Sequence, residues 1–486
     1  MSGKSSIGVI ERAVALSLVS MGVLGVALVL KAGIESGAVS GARVQQHTPV
    51  LSARRAPRSL QFAVGRQRLS LVVADQLKNP AIEAAKNTSC LVIAAAGGLV
   101  VGEAPDRQVV PASNQKVLTA TSALARISPE TKFRTEVRAT SAPIGGTLNG
   151  DLWLVGGGDP LLETSDYTKT QTHDPSDATS FDALVDAVVK TGVTTVTGAV
   201  VGDGRRFDSS LRLPSWKRSY TSTGEVGPIS GLMVNDNFTV ANDRGKRTAS
   251  TNPSADAAAL LKTLLAEKGV IVTGEPRAAS IDEPRAAKSA PQVLAFVDSE
   301  PVGQVVGEML RWSDNTTAEM MIKEVGRKDD APGSWALGVT RVEDSLRLNA
   351  VSTKGLHMVD GSGLDVSNRV TCRLLLETVQ SHASTSAFYQ GLPVMGQTGT
   401  LRKRLRNSVA AGAVRAKTGT LNGVSSLAGA AETTDGSTVH FAIVFNGLAS
   451  TGDGVATADK VVEALMNFPD APPLDQLSSS SSISAG

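Results

Sequence analysis

Pro111-Ala-Ser-Asn-Gln-Lys-Val-Leu-Thr-Ala120 marks where this chain turns from sheet into helix. It follows an apolar run, Cys90 to Ala95, a Gly97-Gly98 turn and a second run, Leu99 to Gly102. Two short β-forming runs joined by glycines predict a hairpin. Pro111, then Val117 and Leu118, predict a helix that starts near Ser113. Lys116 stands three residues beyond Ser113, one turn on and on the same side, so its amine can reach the hydroxyl. A serine hydroxyl is a weak nucleophile until a base takes its proton, and unpaired N–H groups at a helix start can bind a developing oxyanion. A chain of this length should hold roughly one or two Ser-x-x-Lys strings by chance; Ser113/Lys116 is the single instance.

Two further strings lie downstream. Ser313-Asp-Asn315 falls between one helical pattern with Val302, Val305, Val306, Met309 and Leu310 on a face and a second from Thr316 to Val325, stopped by Gly326. It is predicted to be an interhelical loop. Lys417-Thr-Gly419 follows the alternating Val414-Arg-Ala run and precedes Val424 to Ala430 and Val439 to Phe445, joined through Asp435-Gly436, which places it on a sheet strand. Copies elsewhere have poorer settings. Lys190-Thr-Gly192 ends a helical run from Phe181, so Gly192 reads as a helix stop. Ser250-Thr-Asn252 precedes Pro253 and a Leu-rich helix and reads as a turn and cap. Gln397-Thr-Gly399 lacks a fixed cation. Each of the three chosen strings alone has an ordinary use as a cap, a turn or a strand end; the order and settings together point to one site.

Beyond the three strings, Gly150-Asp-Leu-Trp-Leu-Val-Gly-Gly-Gly-Asp-Pro160, Ser313-Asp-Asn-Thr-Thr-Ala-Glu319, Asp360-Gly-Ser-Gly-Leu364 with Asn368-Arg-Val-Thr371, and Arg415-Ala-Lys-Thr-Gly-Thr420 extend the pattern. From about Ser89 to about Phe468 the chain resembles the low-molecular-mass penicillin-binding proteins of the D-alanyl-D-alanine carboxypeptidase/endopeptidase group, the peptidase S13 or DacB-like family. Asp365 stands where that family often has Ser, and Gly396 to Leu401 lacks an acidic residue usual there. The resemblance implies an α/β (α+β) fold: a transpeptidase-like domain, with an antiparallel sheet flanked by helices and a helical subdomain, interrupted by a large inserted mixed α/β domain. About 200 residues separate Ser113 from Ser313, and no Glu-x-x-Leu-Asn string follows Asn315, which argues against β-lactam hydrolysis.

The expected limits are 1–45 for a signal peptide or signal anchor, 46–70 for a basic linker, 71–140 and 294–468 for the two parts of the transpeptidase-like domain, 141–293 for the insert and 469–486 for a disordered tail. Within the insert we expect strands over 148–155 and 196–201 and helices over 181–190 and 255–268. Its Gly156-Gly-Gly-Asp159 run lacks a following Gly-Lys-Ser/Thr and reads as a turn rather than a phosphate site.

At 486 residues more than one core is expected. A net charge of +2 and 3% aromatic residues give no case for nucleic-acid binding. Cys90 and Cys372 could pair, but both sit in apolar runs and buried free thiols are the favoured expectation. The five histidines show no ligand spacing; neither a catalytic metal nor a cofactor is expected. Ala13 to Leu30 is 18 residues without a charge, long enough for an export element that spans a bilayer, and the poor exit around Ala38-Val-Ser40 favours an uncleaved anchor. Six arginines without an acidic residue from Arg43 to Arg68 suit a tether near anionic surfaces, and the Ser-rich end after Leu477 reads as disordered.

The resemblance implies that Ser113 attacks the penultimate D-Ala carbonyl of a peptidoglycan stem peptide, with Lys116 as base and Ser313 as proton relay. It implies that Asn315 holds the substrate backbone, Lys417 and Thr418 meet the terminal carboxylate, Gly419 and Thr420 complete the substrate-binding strand, and the N–H groups of Ser113 and Thr420 form the oxyanion hole. The cation of Lys417 is expected to depress the Lys116 pKa. β-Lactams would acylate the same serine. The place of action would be the outer face of the cytoplasmic membrane, the periplasm or the cell wall. A weakly catalytic wall scaffold and a serine β-lactamase or esterase are the alternatives.

Overall fold

The computed structural model describes residues 56–95, 98–171, 177–241 and 246–471. The apolar run at 13–30, the arginine-rich stretch up to residue 55, Gly97 and the Ser-rich end lie outside the described residues. Strands Cys90–Ala95 and Gly98–Glu103 make the expected hairpin. They join Thr438–Asn446, Val424–Glu432 and Val414–Leu421 in a five-stranded antiparallel sheet, ordered 414–421, 424–432, 438–446, 90–95, 98–103. Strand alternation sends Cys90, Val92 and Ala94 to one core and Leu91 and Ile93 to another. Helices cover both faces, which is why these strands read as unbroken apolar runs.

The first face packs against the helices Gln115–Arg126, Val302–Trp312, Asn315–Val325, Trp335–Leu348 and Cys372–Gln380 through Leu118, Val305, Met321, Val342 and Leu375, all fully buried. Each such aliphatic side chain contributes about 1.5–3 kcal/mol by leaving water. The second face is covered by helix Thr451–Leu465 and by helix Ala56–Gln76. The latter corrects the expected linker at 46–70, since from Ala56 onward the chain is helical. Leu69 and Val73, one turn apart, enter the core, and the Phe62 ring lies 6.0 Å from that of Phe468. Arg66 and Arg68 are exposed on this helix, which packs by its apolar residues.

A second correction concerns the cysteines. Both are buried in apolar surroundings, yet Cys90 and Cys372 form a disulfide across a sequence separation of 282 residues. The first strand of the sheet and the first turn of helix 372–380 meet there, a contact that no local pattern reports.

The insert is a mixed sheet ordered 277–278, 200–203, 152–155, 132–139, 292–301. Its last two strands, Lys132–Ala139 and Gln292–Pro301, run antiparallel from Ala139 opposite Gln292 to Lys132 opposite Pro301, so entry and exit are zipped together. Sheet structure therefore continues outward past 141 and 293. Helices Phe181–Val189 and Pro253–Glu267 close its core through Phe181, Leu184, Leu261 and Leu265. Each of the two expected long strands is split: Thr147–Leu148 and Thr195–Val196 pair in a small three-stranded sheet, and Leu152–Val155 and Val200–Asp203 in the larger one. Gly150, at φ 99°, makes the first break. Asn252 caps helix 253–267 by accepting from the Ala255 N–H, and Gly192 follows helix 181–189 at φ 81°, the plain structural uses expected of both rival strings.

Candidate active site

Ser113 lies in the 3-10 turn Ala112–Asn114 that leads directly into helix 115–126. Ala112 before it has φ 49°, a conformation that L-residues seldom adopt. The turn is tied to the sheet: Asn114 Nδ2 donates to Ser426 Oγ at 2.7 Å, and Ser426 Oγ donates to the Pro111 carbonyl at 2.7 Å. Lys116, in the first turn of the helix, is fully buried. Its Nζ is 3.0 Å from Ser113 Oγ, 2.7 Å from Asn315 Oδ1 and 2.8 Å from the Ser362 carbonyl.

The loop between helices 302–312 and 315–325 is two residues long. Ser313 takes the left-handed conformation at φ 65° and Asp314 caps the second helix through the Thr317 N–H. Asn315 then starts that helix, facing Lys116 with its oxygen while its Nδ2 donates to the Glu225 carbonyl of the insert at 2.7 Å. On strand 414–421, Lys417 is fully buried and donates to Ser313 Oγ and to the Thr418 carbonyl, each at 2.8 Å. Thr418 Oγ1 donates to Thr400 Oγ1 at 2.8 Å. Gly419 passes so close to the serine turn that a Cβ there would sit 3.0 Å from the Ser113 nitrogen and 2.3 Å from Ser426 Oγ, so the third position of the string has to be glycine.

One cleft of about 860 Å³ is bordered by Ser113, Ser313, Asn315, Thr418, Gly419 and Thr420. Lys116 and Lys417 lie beneath its floor, joined to it by the hydrogen bonds above. The eight expected residues thus meet in one place.

Electrostatics corrects one expectation. Burial, not the neighbouring cation, depresses Lys116, to about 8, against the opposing pull of Glu319, Asp314, Asp360 and Glu225. Lys417 is held well below the ordinary lysine value by burial and then by Lys116. Lys116 has the more telling hydrogen-bond pattern. Lys116 Nζ donates to all three oxygens; Asn315 Oδ1 and the Ser362 carbonyl can only accept, so once the amine is neutral they would take its two N–H bonds and leave its lone pair toward the Ser113 hydroxyl.

Further residues of the site were given no role by the sequence, although the string from Asp360 to Leu364 was singled out there. The Ser362 carbonyl belongs to the Asp360–Leu364 loop, whose Asp360 accepts from the Gly363 and Asp365 N–H groups, Asn368 Nδ2 and Trp216 Nε1. Gly363, at φ 86°, approaches the Ala112 carbonyl so closely that a Cβ would meet it at 1.9 Å. The insert contributes Lys217, Tyr220 and Glu225 to the cleft wall, and Tyr220 OH donates to the Leu364 carbonyl at 3.2 Å. Thr400 and Arg404 line the same cleft.

The chain matches the sequence profile of the D-Ala-D-Ala carboxypeptidase 3 (S13) family over residues 69–247 and 239–468. It is 31% identical over 368 residues to a carboxypeptidase of Mycobacterium tuberculosis, covering 72% of this chain and 75% of that one. To a D-alanyl-D-alanine carboxypeptidase of Actinomadura sp. (strain R39) it is 29% identical over 445 residues, 76% and 79% of the two chains. The fold matches penicillin binding protein 4 (dacB) of Haemophilus influenzae at TM-score 0.67 and 22% identity, over 81% of this chain and 98% of that one. The same Haemophilus protein, solved in complex with a β-lactam, matches at TM-score 0.60 and 21% identity, over 78% and 95%. With its profile matched from the helix before the first strand to the end of the last helix, this chain belongs to the D-Ala-D-Ala carboxypeptidase 3 (S13) family.

Proposed function

We propose that this peptidase removes the terminal D-Ala from peptidoglycan stem peptides, and cuts cross-links ending in the same D-Ala bond, through an acyl-enzyme on Ser113. The observation that carries the reading is the 3.0 Å approach of Lys116 Nζ to Ser113 Oγ, with both remaining lysine partners obliged to accept. Lys116 takes the hydroxyl proton as Oγ bonds to the penultimate D-Ala carbonyl carbon. The N–H groups of Ser113 and Thr420 receive the oxyanion. The C–N bond to the last D-Ala then breaks, and its nitrogen takes a proton delivered through Ser313 Oγ. Lys417 with Thr418 and Gly419 binds the terminal carboxylate, and Asn315 the substrate backbone. Water finally cleaves the ester on Ser113.

The D-alanyl-D-alanine carboxypeptidase name of the Actinomadura relative and the β-lactam complex of the Haemophilus neighbour support this assignment of substrate and inhibitor. Peptidoglycan lies outside the cytoplasmic membrane, and the Cys90–Cys372 bridge suits an oxidising compartment. The 13–30 segment would hold the enzyme to that membrane face.

Fluorescent penicillin and a stem pentapeptide test the reading on the full chain. Stable covalent labelling and D-Ala release are expected, with both lost by at least about 10³-fold in Ser113→Ala. Intact protein giving neither signal would leave a wall scaffold, rapid loss of label would leave a β-lactamase, and undiminished labelling of Ser113→Ala would remove the serine from the mechanism.

A further inference from the structure

Glu319 lies one turn beyond Asn315 on helix 315–325 and is fully buried. Its carboxylate accepts from the Ser362 N–H at 2.7 Å, the Gly361 N–H at 3.1 Å and Trp335 Nε1 at 2.6 Å. The far side of that loop faces Lys116: the Ser362 carbonyl accepts from its Nζ at 2.8 Å, and Thr119, one turn after Lys116, donates from Oγ1 to the Gly361 carbonyl at 2.7 Å. Helix 315–325 therefore grips the lysine twice, directly with Asn315 and through the 360–364 loop with Glu319. Building on the proposed role of Lys116 as base, we propose that Glu319 is a positioning residue for the reaction at Ser113, aiming the Ser362 carbonyl at Lys116 and holding a buried negative charge behind it.

Two features separate this role from plain packing. The donors to Glu319, from Gly361, Ser362 and Trp335, are all neutral, so its charge is not cancelled within its own hydrogen-bond shell and acts through a low-dielectric interior. Glutamine, although the same shape, cannot satisfy the set, because its amide nitrogen would confront an N–H donor. The charged groups around Lys116 are Glu319 and Asp314 at the start of helix 315–325, Asp360 in the loop, Glu225 from the insert and Lys417 on the strand. Around Glu319 they are Lys116, Asp360 and Lys323. Glu319 is foremost among the carboxylates that hold the Lys116 pKa up against burial; its own is pushed up to about 7 by burial and by Asp360.

The test is the pH profile of penicillin acylation in the full chain carrying Glu319→Gln, Glu319→Asp or Lys116→Ala. Removing the charge releases Lys116 from its proton more easily, and the titration of Glu319 itself disappears. The acidic limb of Glu319→Gln should therefore move down by about one pH unit, while its plateau falls about tenfold to hundredfold from lost aim. Glu319→Asp keeps the charge and withdraws the oxygens, so its plateau should fall about tenfold with the limb in place. A folded Glu319→Gln enzyme whose limb coincides with the wild type overturns the proposal. Should that variant not fold, a wild-type plateau in Glu319→Asp overturns it. Lys116→Ala that acylates at the wild-type rate would instead remove the base reading beneath it, whereas loss of acylation there alongside an unchanged Glu319→Gln leaves that reading standing and ends the present one.

Discussion

The helical wall and the sheet wall of the cleft each bury a lysine, and they treat it in opposite ways. On the helical side Lys116 meets three oxygens, with Glu319, Asp314, Asp360 and Glu225 close enough to favour its charge. On the sheet side Lys417 meets a hydroxyl and one carbonyl, and among the described residues no carboxylate forms an ion pair with it. Burying a cation without an anion is costly. One lysine is thus furnished to exchange a proton with its neighbour. The other lacks a counter-charge, which an incoming carboxylate would provide.

The sharpest way to break this contrast is Lys417→Met. The kcat/KM for a peptide with a free C-terminal carboxylate should fall about 10²–10³-fold, as for loss of a buried charge pair. For the corresponding C-terminal amide it should change little; equal losses for both would show that Lys417 does not read the carboxylate. Next comes pH. A lysine depressed to about 8 is protonated, and useless as a base, below that value. Acylation should therefore rise roughly tenfold per unit up to about pH 8 and then level, making it about 10²-fold slower at pH 6 than on the plateau. A flat profile across this range would mean that Lys116 is not the titrating base. The smallest effect is expected at Trp216, whose Nε1 supports Asp360 from the insert at 3.0 Å and whose ring meets Trp335 edge-on at 5.7 Å. Trp216→Phe leaves a buried carboxylate one donor short, which costs about 1–3 kcal/mol of stability, readable as a lower Tm, and should slow acylation only severalfold. Unchanged Tm and rate would make the insert a bystander to the 360–364 loop.

What could be read from residues alone followed a clear division. The hairpin at 90–103, the helix start at Ser113, the two-residue loop at 313–314 and the strand of Lys417 all rest on local periodicity and turn chemistry, and they were legible for that reason. Residues that meet only in three dimensions were not. Ser362 acts through its carbonyl, which every residue has. From the insert, Trp216 reaches Asp360 and Glu225 reaches the cleft, and the disulfide joins segments far apart along the chain. Helix 56–76 was obscured differently: the arginines between 43 and 68 suggested a tether, while Phe62, Leu69 and Val73, spaced seven and four residues apart, carry its packing. Glu319 closes the string from Ser313 to Glu319 that the sequence singled out, yet its part was not legible there, because a buried glutamate looks like any helical glutamate until its donors are seen.

The bridge between Cys90 and Cys372 encloses Ser113, the whole insert and the Ser313 loop within one covalent ring. A single proteolytic cut in any exposed loop of that ring opens it without releasing a fragment. The piece bearing residue 90 and the piece bearing Lys417 remain one molecule, migrating as a single band until a thiol reductant parts them. In surroundings where wall-degrading and protein-degrading enzymes mingle, nicking and dismemberment are therefore separate events for this protein.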